Sequence, residues 1–136
     1  MPNWCNNTLT IQGESKDVEK FAKKLHKIKN KDDKIEDLLK AFVPMPKEWN
    51  PDDWYGWNCD NWGTKWDILC HYDEIEKEHI ILEFDSAWSP PIQWLEIVAK
   101  KYPKLNFSLK YDEPGMAFMG CAKGTNGIIE DSCIEY

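Results

Sequence analysis

Apolar residues alternate with polar ones in four separate stretches of this chain and recur at helical spacing in three others. Leu9 and Ile11 alternate with Thr8, Thr10 and Gln12 ahead of Gly13, which predicts a half-buried strand. Trp66, Ile68, Cys70 and Tyr72 form one face of a second strand. An acidic turn over Glu74 to Glu78 leads to Ile80, Leu82 and Phe84, the facing strand of a hairpin. Leu105, Phe107, Leu109 and Tyr111 alternate as a fourth. Val18, Phe21, Ala22, Leu25 and Ile28 fall on one face of a helix with lysines on the other. Ser15 is placed to cap that helix, with Asp17 and Glu19 at the positive end of its dipole. A second long stripe is Ile92, Leu95, Val98, Ala99 and Tyr102, with Ser89 as N-cap and Pro90 at the first helical position. A shorter one, Ile35, Leu38, Leu39 and Phe42, must end near Pro44.

The order strand, helix, strand, strand, helix, strand is that of an α+β, ferredoxin-like βαββαβ sheet, antiparallel with two helices on one face. An apolar run from Met116 to Ala122 follows, and Asn126-Gly127 marks a tight turn before Ile128 and Ile129. These predict a C-terminal β-hairpin over about 115–136 that extends the sheet. Pro44 to Asp60 is rich in Pro, Asn, Asp and Trp and has no period, which predicts an irregular, Trp-rich loop insertion over about 44–64. At 136 residues the whole chain, 1–136, reads as one domain.

Composition narrows the function. With 24 acidic against 17 basic residues the net charge is −7. That opposes sequence-independent binding to phosphate backbones and suits a protein partner with a basic surface. Five cysteines, odd in number and irregular in spacing, predict reduced thiols in a cytoplasmic protein. The N-terminus lacks a basic n-region and an apolar h-region, and no window reaches the length of a membrane span.

Eight tryptophans bring large apolar areas and N–H groups that need partners. In Asn61-Trp62-Gly63-Thr64-Lys65-Trp66, Gly63 can take positive φ or admit another backbone. One reading of this segment is a lid folded against Trp4-Cys5-Asn6-Asn7. The other is a recognition surface, since tryptophan is enriched at interface hot spots. The binding candidates are Trp49, Trp54 and Trp57 with the neighbouring Asp52, Asp53 and Asp60, while Trp62 and Trp66 border the second strand and should be the more buried.

Chemistry finds less footing. Cys59, Cys70 and His71, with Cys5 or Cys121 as a fourth, lack the paired spacing of a structural zinc site. No metal or cofactor is expected, and His26 and His79 read as solvated. Asp52, Asp53, Asp60 and Asp67 read as solvated acids with no histidine placed to work with them, so no catalytic residue is assigned. Gly120, Gly124 and Gly127 match no phosphate-binding loop. Tyr72, Phe84, Phe107 and Phe118 could stack bases on a ferredoxin-like sheet. A helix layer can equally claim them as core, and the acidic charge removes the usual electrostatic funnel.

Four boxes occur in order: Met1-Pro2-Asn3-Trp4-Cys5-Asn6-Asn7-Thr8-Leu9, Val43-Pro44-Met45-Pro46, Asn61 to Trp66, and Glu113-Pro114-Gly115 with Phe118 and Gly120. Together they resemble the uncharacterised YubB-type family with a ferredoxin-like domain, found in plasmids, bacteriophages and their bacterial hosts. The resemblance spans nearly the whole chain, with Lys47 to Cys59 individual to it. It implies a ferredoxin-like fold and a mobile-element setting, and no established activity or catalytic residue. The expectation is a non-catalytic interaction module, in its sharper form an inhibitor of a host defence system that occupies a basic surface. The alternative is a single-stranded nucleic-acid-binding domain.

Overall fold

β1 (Trp4–Gln12) is a central strand of an antiparallel sheet in the computed structural model, which describes residues 3–136. α1 (Ser15–Lys27) and α2 (Leu38–Phe42) follow it, then a single 3-10 turn (Pro51–Asp53) and α3 (Trp54–Asn61). β2 (Cys70–Ile75) and β3 (His79–Ala87) form the first hairpin, and α4 (Ile92–Lys101) leads to β4 (Asn106–Glu113). β5 (Phe118–Thr125) and β6 (Ile128–Glu135) form the last hairpin. The strand order is β2-β3-β1-β4-β5-β6, with every pair antiparallel. This is the ferredoxin-like arrangement with the C-terminal hairpin added beside β4. Met1 and Pro2 of the first sequence box lie outside the described residues.

Alternation along the strands separates two faces. Leu9, Ile11, Leu82, Phe84, Phe107 and Leu109 point to one and are buried. Phe21 of α1 stacks on Phe42 of α2 (centroids 4.5 Å) and meets Tyr102 and Phe107 edge-on (5.1 and 6.2 Å), which joins the helices to the sheet. Phe21, Leu25, Leu82, Phe84, Leu95 and Val98 all belong to this one core. At the hairpin tip Asn126 and Gly127 both have positive φ (55° and 79°), which matches the turn that Asn-Gly favours.

The structure corrects several local expectations. Ser15 is the first residue of α1 and not its cap; Glu14 takes that place and makes no side-chain bond. α4 begins at Ile92, so neither Ser89 nor Pro90 starts it, and the Ser89 hydroxyl is used elsewhere. Trp66 and Ile68 precede β2. A β-bulge at His71 sets Cys70 opposite Phe84 and Tyr72 opposite Glu83. The extra residue turns Tyr72 onto the open face, where it is exposed, while Cys70 stays buried. The insertion is not one irregular loop. Asn50 accepts from the Asp52 N–H (3.1 Å), Pro51 takes the first position, and the chain winds into α3.

Asp67, expected to be solvated, is turned inward. Its carboxylate accepts from the backbone N–H groups of Leu39 (2.7 Å), Lys40 (3.0 Å) and Ile68 (2.8 Å). It caps the first turn of α2 from 28 residues away in sequence, because Asp37 at the cap position has positive φ and makes no side-chain bond. Burial pushes the Asp67 carboxyl up, against the pull of these three donors. Asp67→Ala leaves all three N–H groups without their acceptor and should lower stability by about 1–3 kcal/mol in urea unfolding. Asp67→Asn, which keeps one acceptor oxygen, should lose less.

Candidate interaction surface

Tryptophan is divided between a buried frame and an exposed ledge at one end of the sheet. The frame is Trp57, Trp62 and Trp94. Trp62 meets Trp57 edge-on (5.6 Å), and its Nε1–H donates to the Val43 carbonyl (2.9 Å). The Trp94 Nε1–H donates to the Leu39 carbonyl (3.1 Å), and its backbone N–H to that of Trp62 (3.3 Å). Gly63 has φ 81°, which strains any other residue there, and an added side chain would also have to displace the Gln93 amide. Thr64, buried, donates to the Ala87 carbonyl (2.8 Å). Beneath β1 and β3, Asn7 donates to the Ser86 hydroxyl (2.8 Å), Ser86 to the Ser89 carbonyl (2.6 Å), and Ser89 to the Gly63 carbonyl. These bonds fix the 62–66 segment against the ends of β1, β3 and α4.

The ledge stands on that frame. Trp4 packs against Trp66 (6.3 Å), Lys65 Nζ lies over the rings of Trp66 (4.6 Å) and Tyr55 (5.5 Å), and Tyr55 stacks on Trp54 (6.0 Å). Trp4, Trp54, Tyr55 and Trp66 are all exposed. Trp88, also exposed, follows Ala87, the residue paired with Trp4, and its N–H donates to the Asn3 carbonyl (2.8 Å). Its φ of 71° is unusual for a bulky side chain and holds the indole outside the core. Carboxylates border the rings. Asp52 and Asp53 form the turn before Trp54, and Asp60 is exposed on α3. Asp85 and Asp112 flank Asn6, one residue pair along the open face from Trp4.

The predicted binding set is therefore split. Trp54, Asp52, Asp53 and Asp60 are exposed, as is Trp49, whose Nε1–H turns back to the Asp53 carbonyl (3.4 Å). Trp57 is only 5% exposed and belongs to the frame, a correction that follows from α3 turning it toward Trp62. Trp66, expected to be more buried than Trp54, is 38% exposed against 40%. Trp4 and Lys65, members of the first and third sequence boxes and outside the expected binding set, both face the ledge.

The four sequence boxes converge here. Trp62 bonds Val43 of the second box, and Trp66 of the third meets Trp4 of the first. In the fourth, the fully buried Glu113 accepts from the Met116 N–H (3.1 and 3.2 Å to its two oxygens), and Gly115 lies so close to Asn3 that a side chain would collide with it. Pro114 shapes that turn, its carbonyl accepting from Ala117 (3.3 Å).

The face of the sheet away from the helices has a different character. Thr8, Thr10, Glu83, Asp85 and Lys110 lie on the central strands there, and the aromatics proposed to stack bases do not. Phe84 and Phe107 are core, Phe118 packs half-buried against it, and only Tyr72 is open.

The five thiols are all unpaired. Burial pushes Cys5 and Cys70 up to about 12, so both stay protonated and unreactive in the folded protein. Burial also raises Cys59, with Asp60 adding to it. In a native titration with a disulfide reagent, the exposed Cys133 should react first, and Cys5 and Cys70 only after denaturant is added. Among the described residues, no three His, Cys, Asp or Glu side chains come together as a metal site. No helix among them is long and apolar enough to cross a membrane.

Residues 65–136 match the family described as the ferredoxin-like domain in Api92-like protein. The chain belongs to that family. The matched stretch opens at Lys65 and Trp66 of the ledge and runs through β6. β1, the strand between β3 and β4, comes from outside it. Among solved structures, the protein api92 from Yersinia pseudotuberculosis is similar over 100% of this chain and 98% of its own, with a TM-score of 0.63 and 12% identity. At that identity the likeness speaks for the fold alone. No curated protein matches the sequence. In this chain the ledge stands at the end of the sheet where the strands β1 and β3 meet the 62–66 segment.

Proposed function

We propose that this Api92-like chain is a non-catalytic protein-interaction module of plasmid or phage type, which presents its aromatic ledge to a basic surface of a host protein. The observation that carries the reading is the run Trp4, Trp66, Lys65, Tyr55 and Trp54, four exposed rings joined through the half-buried Lys65 where α3 meets the end of the sheet. Contiguous exposed aromatics mark interaction sites, and Trp and Tyr dominate hot spots. The acids around them would steer a basic partner and hold its register. In its sharper form the module inhibits a host defence system by occupying the basic surface on which that system holds nucleic acid. The work is then cytoplasmic, and no cofactor takes part.

A single-stranded nucleic acid is the second reading, because aromatics beside a lysine are also parts of a stacking platform. Glu83 and Asp85 on the open face and the net charge of −7 weigh against it. The deciding experiment is capture of host proteins on the tagged chain with and without nuclease, comparing the native protein with Trp66→Ala. The expected result is a basic protein retained after nuclease and lost with Trp66→Ala or at high salt. Captured material that vanishes with nuclease, or that ignores Trp66, overturns the proposal.

A further inference from the structure

The two edges of the sheet are treated differently. β2 is short, carries the bulge at His71, and is covered at its start. There the Cys70 N–H donates to the Ile35 carbonyl (2.9 Å), Glu36 bridges Leu69, and Lys29 reaches Asp73 (3.3 Å). All eight residues of β6 pair with β5 without a bulge, none is proline or lysine, and β6 ends the strand order with its outer side free among the described residues. Proteins blunt such edges because an open row of N–H and C=O groups is a template for another strand. This edge also carries exposed apolar side chains beside its three acids, Glu130, Asp131 and Glu135. Ile134 is 59% exposed opposite the exposed Met119, and Ile128 and Tyr136 are exposed at the two ends.

We infer that the chain forms a homodimer by antiparallel pairing of β6 with the β6 of a second copy, about a two-fold axis at Ser132. Two six-stranded sheets then become one continuous sheet. The register follows from the side chains. Opposed residues of an antiparallel pair share a face, so the axis must pass through a residue. Centred on Glu130 or on Asp131, that carboxylate meets its own copy. Centred on Cys133, Asp131 meets the partner's Glu135. Registers about Ile129 or Ile134 pair only the ends of the strand. Centred on Ser132, small hydroxyls meet on the axis and no acid opposes another. Glu130 then lies opposite the partner's Ile134, Asp131 opposite the partner's Cys133, and Ile128 opposite the partner's Tyr136. Directly opposed like charges are destabilising, so this is the register that charge permits along the full strand. With −7 on each copy, salt should favour the dimer by screening the remaining repulsion.

Sedimentation velocity over a range of protein and salt concentrations tests this, with far-UV circular dichroism confirming that each variant folds. Wild type should show a monomer–dimer equilibrium that shifts toward dimer with salt. Ile134→Asp sets an acid opposite Glu130 twice and should weaken the dimer about tenfold or more, whereas Ile134→Lys should keep or tighten it. Ser132→Cys, with Cys121 and Cys133 replaced by serine, should cross-link the dimer under mild oxidation. A wild type that stays monomeric throughout overturns the inference. So does a dimer indifferent to Ile134→Asp, or one that Ser132→Cys fails to cross-link.

Discussion

Trp62→Ala should unfold the protein about 10–20 °C below the wild type, the largest loss expected from any exchange around the ledge. Trp62 is 5% exposed, so alanine leaves a cavity of indole size where Trp57 now meets it edge-on. Large-to-small changes of this kind cost about 3–5 kcal/mol. The Val43 carbonyl also loses its donor, which adds to the cost where no water can replace it. Trp62→Phe separates the two terms. It keeps most of the ring volume, removes only the N–H, and should fall well short of the alanine loss. Thermal unfolding of the three proteins side by side measures the split. A Trp62→Ala midpoint equal to wild type would mean that the frame does not hold this end of the sheet.

Trp66→Ala should have the opposite profile. Its indole is already partly in water and touches chiefly Trp4 and Lys65, so its removal should change stability by less than about 1 kcal/mol. Once the partner is in hand, the same exchange should weaken binding by about thirtyfold or more, the scale of a hot-spot aromatic. Isothermal titration of wild type, Trp66→Ala and Trp57→Ala would show it. Trp57→Ala should lose stability first, since its ring faces inward. Equal binding by Trp66→Ala would remove the ledge from the account.

The strands were legible because a sheet with one face packed and one face open writes its period into the sequence. Leu9 and Ile11, Leu82 and Phe84, and Phe107 and Leu109 each alternate with polar residues and are each buried in the structure. The same period misled at Tyr72, since Ile68, Cys70 and Tyr72 continue an unbroken alternation that the bulge at His71 interrupts. A bulge adds a residue without changing composition, and one chain carries no mark of it. α3 left almost no trace, because Trp57 and Asn58 are its buried residues and Gly56 lies in its middle. Its order comes from side chains instead: Asn58 Nδ2 donates to the Lys65 carbonyl (2.9 Å) and Asn61 Nδ2 to that of Trp57 (3.0 Å). The one local signal was Asn50-Pro51, a cap followed by proline at the first position.

The ledge was legible in its ingredients and not in their assignment. Tryptophan carries both burial and recognition, so which rings turn outward depends on tertiary geometry. Trp57 and Trp66 exchanged their expected places because α3 points one at Trp62, while the 62–66 turn lays the other against Trp4. Asp67 shows the same limit for charge. Its sequence setting suggests one more solvated acid, yet it holds the N-terminus of α2 through contacts that no local pattern announces.

Hydrogen exchange of the eight indole N–H groups, followed by nitrogen-resolved NMR on the isolated protein, addresses the division of tryptophans without knowledge of any partner. Trp62 and Trp94, buried and bonded to the carbonyls of Val43 and Leu39, should exchange slowly, at rates that follow unfolding of the core. Trp4, Trp54, Trp66 and Trp88 should exchange at rates close to those of free indole. Protection of Trp4 and Trp66 equal to that of Trp62 would contradict the account, because the sheet end would then be a closed lid with no aromatic surface to offer.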